Sequence, residues 1–115
     1  MDGRPLRKVA DYLHTTFGVR QIDTITTAGT VKHLVTETDQ TPILLANLDI
    51  SLRLHGSRQI AIVAHHDCAG NPVPDKVQKQ QIAEALVHMS RLHPHAEVIG
   101  LWIDRNRIVE RIRAK

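Results

Sequence analysis

Residues 58–72 read RQIAIVAHHDCAGNP, and this stretch decides the predicted fold. Its apolar part, residues 60–64, is too short for a helix and rich in β-branched side chains, which is typical of a strand buried on both faces. The run stops at His65, and the residues that lead up to Pro72 have the composition of a turn. Groups that bind metals or transfer protons, among them Cys68, therefore stand where a buried strand ends. In open parallel sheets, ligands bind just outside the carboxyl ends of the strands.

The rest of the chain alternates between helical and strand patterns. The predicted elements, in order, are a helix over 6–17 that ends at Gly18, a strand over 20–27, a short helix over 30–36, a helix from Thr41 that ends at Gly56, the buried strand, a helix from Asp75 that ends before Pro94, and a strand over 97–103. Residues 104–106 are predicted as a turn, and residues 108–115 form a basic tail of no assigned structure.

This alternation predicts an α/β fold built from right-handed βαβ units, with a mainly parallel β-sheet flanked by helices. We expect a single domain over residues 1–115. The three predicted strands are few for such a sheet. Either another chain completes the sheet, or residues upstream of Met1 are absent from this sequence.

Two of the predicted helices begin with capping signals. Thr41 is predicted as an N-cap because Pro42 follows at the first helical position. Asp75 is predicted as the N-cap of the next long helix, with Gln78 placed to reach back to it.

Composition argues against several functional classes. The net charge is +3 and only 3% of the residues are aromatic, so the chain offers few platforms for stacking bases. The basic tail is therefore interpreted as a solvated face, and nucleic-acid binding is the weakest hypothesis. There is no apolar run of membrane-spanning length and no N-terminal signal pattern, so we expect a cytoplasmic protein with no membrane partner. The single cysteine agrees with a reducing compartment.

His65 and Cys68 have an H-x-x-C spacing, from which both side chains can turn toward one point. Imidazole and thiolate are ligands that zinc prefers, whereas magnesium and calcium prefer oxygen. Two ligands do not make a catalytic zinc site, which has three protein ligands and an open position. The alternative interpretations are structural, with Cys68 as a small buried residue, His66 as an exposed one and Asp67 as a cap of the turn.

Three segments of the chain resemble β-class carbonic anhydrases. Residues 51–72, SLRLHGSRQIAIVAHHDCAGNP, resemble the helix, the strand and the G-H-x-x-C-type corner of that family, with Ala64 where glycine is usual. Residues 26–31, TTAGTV, resemble its R-N-A-G segment, and residues 1–5, MDGRP, resemble its C-x-D-x-R motif. The resemblance covers nearly the whole chain in the right order. It implies a parallel sheet whose first strand should precede residues 1–5 and is missing here.

The resemblance also implies a zinc site and a reaction. His65 and Cys68 match the second and third zinc ligands, and the first ligand, a cysteine, would lie one position before Met1. Asp2 and Arg4 match the family's Asp–Arg dyad, although by themselves they read as an ordinary surface ion pair. By resemblance, Asp2 would accept a hydrogen bond from the zinc-bound water or occupy the fourth zinc position, and Arg4 would pair with Asp2. Zinc-bound hydroxide would then hydrate carbon dioxide to bicarbonate.

Departures from the family pattern leave two hypotheses open. If the missing ligand is supplied, the chain is a carbonic-anhydrase-like lyase that binds Zn²⁺ and acts on carbon dioxide, bicarbonate or a similar small molecule. If the ligand has been lost, the chain is a non-catalytic homologue with a vestigial metal site, which serves as a binding or interaction module. The Thr26-Thr27 pair in place of Arg-Asn motivates this second hypothesis. The family forms dimers or larger assemblies, so we expect a homodimer or a higher homo-oligomer.

Overall fold

The computed structural model describes residues 3–19, 22–23, 25 and 29–114, with the backbone alone at 3–6. The helices are α1 (Gly3–Phe17), α2 (Thr30–Val35), α3 (Thr41–Leu54) and α4 (Asp75–Leu92), and the strands are β1 (Gln59–His65), β2 (Glu97–Ile103) and β3 (Val109–Ile112). The predicted α/β class is confirmed. Ile22, Asp23 and Ile25 form no strand, and the rest of the strand predicted over 20–27 lies outside the described residues.

The described sheet is mixed, with the strand order β1-β2-β3. β1 and β2 run parallel, with Gln59 opposite Glu97 and His65 opposite Ile103. β2 and β3 run antiparallel, with Ile103 opposite Val109. The expectation of a mainly parallel sheet is therefore corrected to one parallel and one antiparallel pair, because the basic tail returns as a strand.

A single side chain builds the reversal that brings the tail back. The carboxylate of Asp104 accepts hydrogen bonds from the backbone N–H groups of Asn106 at 2.8 Å and Ile108 at 3.0 Å. The Asp104 N–H in turn donates to the carbonyl of Ile108 at 3.1 Å. This turn lies where the sequence predicted one, and its geometry makes β3 pair with β2.

Helices cover both faces of the sheet. One layer joins α2 and α4 to the sheet through the buried residues Val31, Ile60, Ile62, Ala64, Ile82, Ala85, Leu86, Met89 and Trp102. The other layer joins α1 to β2 through Val9, Leu13, Ile99, Leu101 and Ile103. β1 contributes to both layers, since Ala61 and Val63 pack against the α1 side. No helix in the described part of the chain has the length and apolar composition needed to cross a membrane.

The predicted end of α1 is confirmed, whereas the predicted cap of α3 is wrong. Gly18 follows α1 with a φ of 67°, a left-handed conformation that glycine adopts without strain, and its N–H donates to the carbonyl of His14 at 3.0 Å. Thr41 is the first helical residue of α3 rather than its cap. Its hydroxyl donates instead to the carbonyl of His33 at 2.7 Å, which ties α3 to α2.

The predicted capping box of α4 is also wrong. Pro74 occupies the N-cap position, and no side chain caps this helix. The Asp75 carboxylate accepts a hydrogen bond from His66 Nδ1 at 2.8 Å instead. Gln78 is buried and does not reach back to Asp75. Asp75 is thus paired with His66, nine residues away, rather than with the backbone at the start of α4 as the sequence pattern predicted.

Gly100 should be intolerant of any side chain, because β2 and α4 meet there at close range. A Cβ on Gly100 would lie 2.5 Å from Cγ2 of Ile82 and 3.2 Å from Cδ1 of Leu86. We expect Gly100→Ala to lower the free energy of unfolding by about 1–3 kcal/mol, the usual cost of overpacking a core. Urea denaturation measures this loss. Ile82→Leu, which lacks Cγ2, should recover part of it in the double variant, whereas purely additive losses would contradict the proposed contact.

Candidate metal centre

His65 is the last residue of β1, and its ring is oriented by the neighbouring backbone. Its Nδ1 lies 2.9 Å from the carbonyl oxygen of His66. A carbonyl oxygen can only accept, so Nδ1 must carry the proton. The lone pair of the neutral ring is then on Nε2. In this tautomer a histidine can bind a metal through Nε2 while its Nδ1–H donates to a backbone carbonyl.

Cys68 follows the strand end, and its half-buried side chain lines the same cavity as His65. This cavity, the corner cavity, has a volume of about 50 Å³. Its walls are formed by Gly29, Thr30, Val31, Val63, Ala64, His65, Cys68, Asn71 and Gln78. His65 and Cys68 therefore line one small cavity at the carboxyl end of β1, and their convergence on one metal ion stays a prediction.

Hydrogen bonds hold the corner between the sheet and α4. The His66 N–H donates to the carbonyl of Ile103 at 2.9 Å, one step beyond the last residue pair of β1 and β2. The His66 ring donates to Asp75, so this residue is half-buried and bonded, and its interpretation as exposed is corrected. The Asn71 N–H donates to the carbonyl of Cys68 at 3.1 Å, and its side-chain amide donates to Gln81 at 2.7 Å.

The segment before α2 packs directly against this corner. Gly29 has a φ of 64°, and a Cβ there would clash with the carbonyl of Gly70. A side chain at position 29 would therefore be strained by its backbone conformation and blocked by its neighbour. This close approach brings Thr30 and Val31 into the wall of the corner cavity.

Gln78 is the residue at this site that the sequence pattern did not indicate. Its side chain is 1% exposed, and neither its Nε2 nor its Oε1 has a hydrogen-bond partner among the residues that the structure describes. An unpaired buried amide costs about 1–3 kcal/mol. The available signal was a polar residue four positions before Ile82, which begins the apolar stripe of α4.

The other predicted site residues cannot be placed. Asp2 and the Thr26-Thr27 pair lie outside the described residues, as does the side chain of Arg4. Within the described ranges, no group of three or more histidine, cysteine, aspartate or glutamate side chains is arranged to hold a metal ion. His65 and Cys68 are therefore the two candidate donors that the structure brings together.

A larger cleft adjoins the corner cavity. It has a volume of about 980 Å³ and extends along β1, between this strand and residues of α1 and α3 together with Val19, Ile22, Asp23 and Ile25. Thr30, Val63 and His65 line both the cleft and the corner cavity. In the described sheet β1 pairs only with β2, so its other edge borders the cleft.

A polar cluster ties residues 22–23 to the end of α3 on the far side of the cleft. The Asp23 carboxylate accepts hydrogen bonds from His55 Nδ1 at 2.5 Å and from the Ser51 hydroxyl at 2.8 Å. The hydrogen bond from His55, followed by that from Ser51, lowers the pKa of Asp23 below its usual value of 3.8. His55 is exposed, and 32 residues separate it in sequence from Asp23, its hydrogen-bond partner.

The family model described as "Putative carbonic anhydrase" matches residues 1–113 of the chain. The chain belongs to this family. No curated protein and no solved structure matches it. The predicted relationship to carbonic anhydrases is therefore confirmed. It makes zinc the metal to consider for the corner cavity.

Zinc is the metal that the carbonic-anhydrase family implies, and the donors at the corner fit it. The imidazole of His65 presents Nε2, Cys68 offers a soft sulfur, and both border one cavity. Gln78, whose buried amide has no hydrogen-bond partner among the described residues, adds a polar side chain to the lining of this cavity. Because a catalytic zinc has three protein ligands, a complete site would take a further donor from outside the described residues.

The lowered pKa of Asp23 predicts a pH-dependent contribution to stability. A carboxyl group whose pKa is lower in the folded than in the unfolded protein stabilises the fold above pH 3.8, and that contribution is lost as the pH falls through the folded-state pKa. We expect Asp23→Asn to be less stable than the wild type at about pH 6, with the difference shrinking toward about pH 3. Urea denaturation over this range measures it, with exposed Asp39→Asn as the control. A difference that does not change with pH would contradict the prediction.

Proposed function

We propose that this chain is a β-carbonic-anhydrase-like zinc protein that catalyses the reversible hydration of carbon dioxide to bicarbonate. The observation that carries the proposal is that His65 and Cys68 border one cavity at the carboxyl end of β1. Membership of the carbonic anhydrase family supports the reaction class. Carbon dioxide and bicarbonate are both small enough for a cavity of about 50 Å³.

The residues at the corner divide into metal donors and a substrate wall. His65 Nε2 and the Cys68 sulfur would hold zinc, which when bound supplies a Lewis acid that makes water nucleophilic near neutral pH. The His66 carbonyl keeps His65 in the donor tautomer. Val31, Val63 and the adjacent Ala64 give the cavity an apolar side, which suits carbon dioxide because it has no net dipole.

Asp2 and Arg4 complete the proposal. The Asp2 carboxylate would accept a hydrogen bond from the attacking water and so direct its lone pair toward carbon dioxide. Arg4 would pair with Asp2 through a charge-assisted hydrogen bond, which keeps the carboxylate ionised and oriented. These roles rest on the match of residues 1–5 to the family motif, since the two side chains lie outside the described residues.

Zinc content and carbon dioxide hydration test the proposal directly. We expect stoichiometric zinc in the purified protein and stopped-flow hydration activity. Cys68→Ser and His65→Ala should each weaken zinc binding by at least about 100-fold, because loss of a ligand exceeds the loss caused by a supporting residue. Exposed His95→Ala is the matched control and should retain both properties. Metal-free protein after growth and purification with zinc would refute the proposal.

The alternative is a non-catalytic homologue with a vestigial metal site. It is favoured by one observation, that among the described residues no group of three or more candidate donors is arranged to hold a metal ion. Under this alternative the corner would bind a small ligand without turnover. Zinc binding that depends on Cys68, accompanied by hydration activity, would exclude it.

We also propose a β-carbonic-anhydrase-like fold in which a further strand completes the sheet. The cleft beside β1 supports this, because it has a volume of about 980 Å³ and borders the unpaired edge of β1 in the described sheet, although every residue of β1 is buried or half-buried. Unpaired strand edges of this kind attract a partner strand. The exposed apolar residues Ile43, Ile50 and Leu54, which share one face of α3, support assembly into a homo-oligomer.

Hydrogen exchange tests whether the edge of β1 is open. In the monomeric 115-residue chain, the β1 amides that face β2 should be protected, whereas the alternate amides that face the cleft should exchange at rates close to those of unpaired backbone. The amides of β2, which pairs on both sides, serve as the internal reference. Equal protection of all β1 amides in the monomer would contradict an open edge.

A further inference from the structure

Gln78 interrupts an otherwise apolar face of α4. Ile82, Ala85, Leu86 and Met89 form the buried stripe of this helix, and Gln78 continues that stripe by one turn toward the corner. It is also the polar member among the largest fully buried side chains of the described residues. A hydrophobic residue at position 78 would extend the stripe without leaving a polar group unpaired. Packing therefore does not explain why a glutamine stands there.

The other buried polar side chains of the described residues show what satisfied groups look like in this fold. The Ser51 hydroxyl donates to the Asp23 carboxylate and accepts from the Ser57 hydroxyl, at 2.8 Å each. Asn71 donates to Gln81 at 2.7 Å. Gln78 is as inaccessible as these residues, yet both of its amide atoms are unpaired within the described chain. A hydrogen-bond partner for the Gln78 amide would therefore be a molecule bound in the cavity that Gln78 lines.

The corner cavity has room for such a partner. Its volume of about 50 Å³ exceeds what one water molecule needs, and corresponds to about three waters or one molecule of about four heavy atoms. Gln78 forms the wall contributed by α4, and His65 and Cys68 form the wall at the end of β1. A molecule in this space would therefore lie against Gln78, His65 and Cys68 at once, and a small shift of the Gln78 side chain would bring its amide into contact with it.

We propose that Gln78 is a binding residue that holds hydrogen carbonate in the corner cavity. Its Nε2 donates to a carboxylate oxygen of the ligand, and its Oε1 accepts from the ligand's O–H. Carbon dioxide accepts hydrogen bonds but cannot donate, so it leaves Oε1 unpaired. The identity of the ligand rests on the proposed function, whereas the requirement for a small molecule that both donates and accepts follows from the unpaired amide alone.

This chemistry predicts a specific discrimination between two anions. Nitrate has nearly the shape and charge of hydrogen carbonate but carries no O–H group. A site that recognises the O–H should bind nitrate about tenfold more weakly or worse, the factor expected when one net hydrogen bond is lost. A site that recognises only negative charge would bind the two anions equally.

Nuclear magnetic resonance of the side-chain amide reads this out without any enzymatic activity. The Gln78 Nε2 resonances of ¹⁵N-labelled protein are identified by their absence in Gln78→Met. With metal-free and with zinc-treated protein, we expect hydrogen carbonate to shift them saturably at constant pH and ionic strength, and nitrate to do so at least about tenfold more weakly. Resonances that do not respond to hydrogen carbonate in either preparation, or that respond equally to both anions, would overturn the proposal.

Gln78→Met separates a binding role from a structural one. If Gln78 exists to bind a ligand, the methionine variant should lose the hydrogen carbonate response in neighbouring backbone amides while unfolding at a higher urea concentration than the wild type, because an unpaired amide has been replaced by an apolar side chain. If Gln78 has a purely structural role, the variant should be less stable and should keep the response. Gln80→Met, at an exposed position of the same helix, is the matched control and should change neither property.

These measurements also separate this proposal from the proposed function. Absence of zinc and of hydration activity, with the nitrate discrimination intact, would defeat the hydratase and leave Gln78 as a ligand-binding residue. In an active protein, Gln78→Met should raise KM for hydrogen carbonate by about tenfold, with a smaller effect on hydration of carbon dioxide. Activity with an unchanged KM for hydrogen carbonate in the variant would overturn the role of Gln78 and leave the hydratase standing.

Discussion

The parallel pairing of β1 with β2 ends in one backbone hydrogen bond, and the geometry of the corner depends on it. The His66 N–H donates to the carbonyl of Ile103 at 2.9 Å, so the chain stays attached to the sheet for one residue beyond β1. The carbonyl of the same residue accepts from the ring of His65. A backbone group anchored to the sheet therefore sets the orientation of the imidazole, and the position of Cys68 follows from the turn that begins there. Backbone hydrogen bonds to the sheet therefore restrict the movement of His65 and Cys68.

The placement of α4 over this corner follows from two contacts of different kinds. Apolar packing of Ile82 and Leu86 against the sheet fixes the depth of the helix, so closely that Gly100 has no room for a side chain. The hydrogen bond between His66 and Asp75 fixes its first turn. Between these anchors Gln78 has little freedom to leave the cavity wall. The fold thus holds beside a small cavity an amide that has no partner among the described residues, and a buried polar group of this kind is expected at functional sites.

Local patterns determined most of the fold and part of the site. The bounds of β2 and the end of α1 at Gly18 were predictable, because apolar runs and a left-handed glycine are signals within a few residues. That His65 and Cys68 line one cavity was predictable, because His65 ends β1 and Cys68 comes three residues after it. The pairing of His55 with Asp23 joins residues 32 positions apart, and the hydrogen bond of Asp75 to His66 replaced a favourable local cap. Whether the buried amide of Gln78 has a partner depends on the residues of α2, β1 and the corner that pack around it, and a local sequence pattern does not show this.

The corner cavity and the cleft meet at His65, so the proposed further strand and the proposed further donor are related. His65 lines both spaces, with its backbone at the end of an edge strand and its ring at the candidate metal position. A segment that filled the cleft would pair with β1 and pass beside this ring. It would also be the segment best placed to carry a further donor to the corner, because parallel neighbours present their carboxyl ends at the same edge of a sheet. Under the proposed fold, pairing of a further strand with β1 and supply of a further donor to the corner are therefore expected to be one structural event, in which the backbone hydrogen bonds that bury the edge of β1 also position that donor.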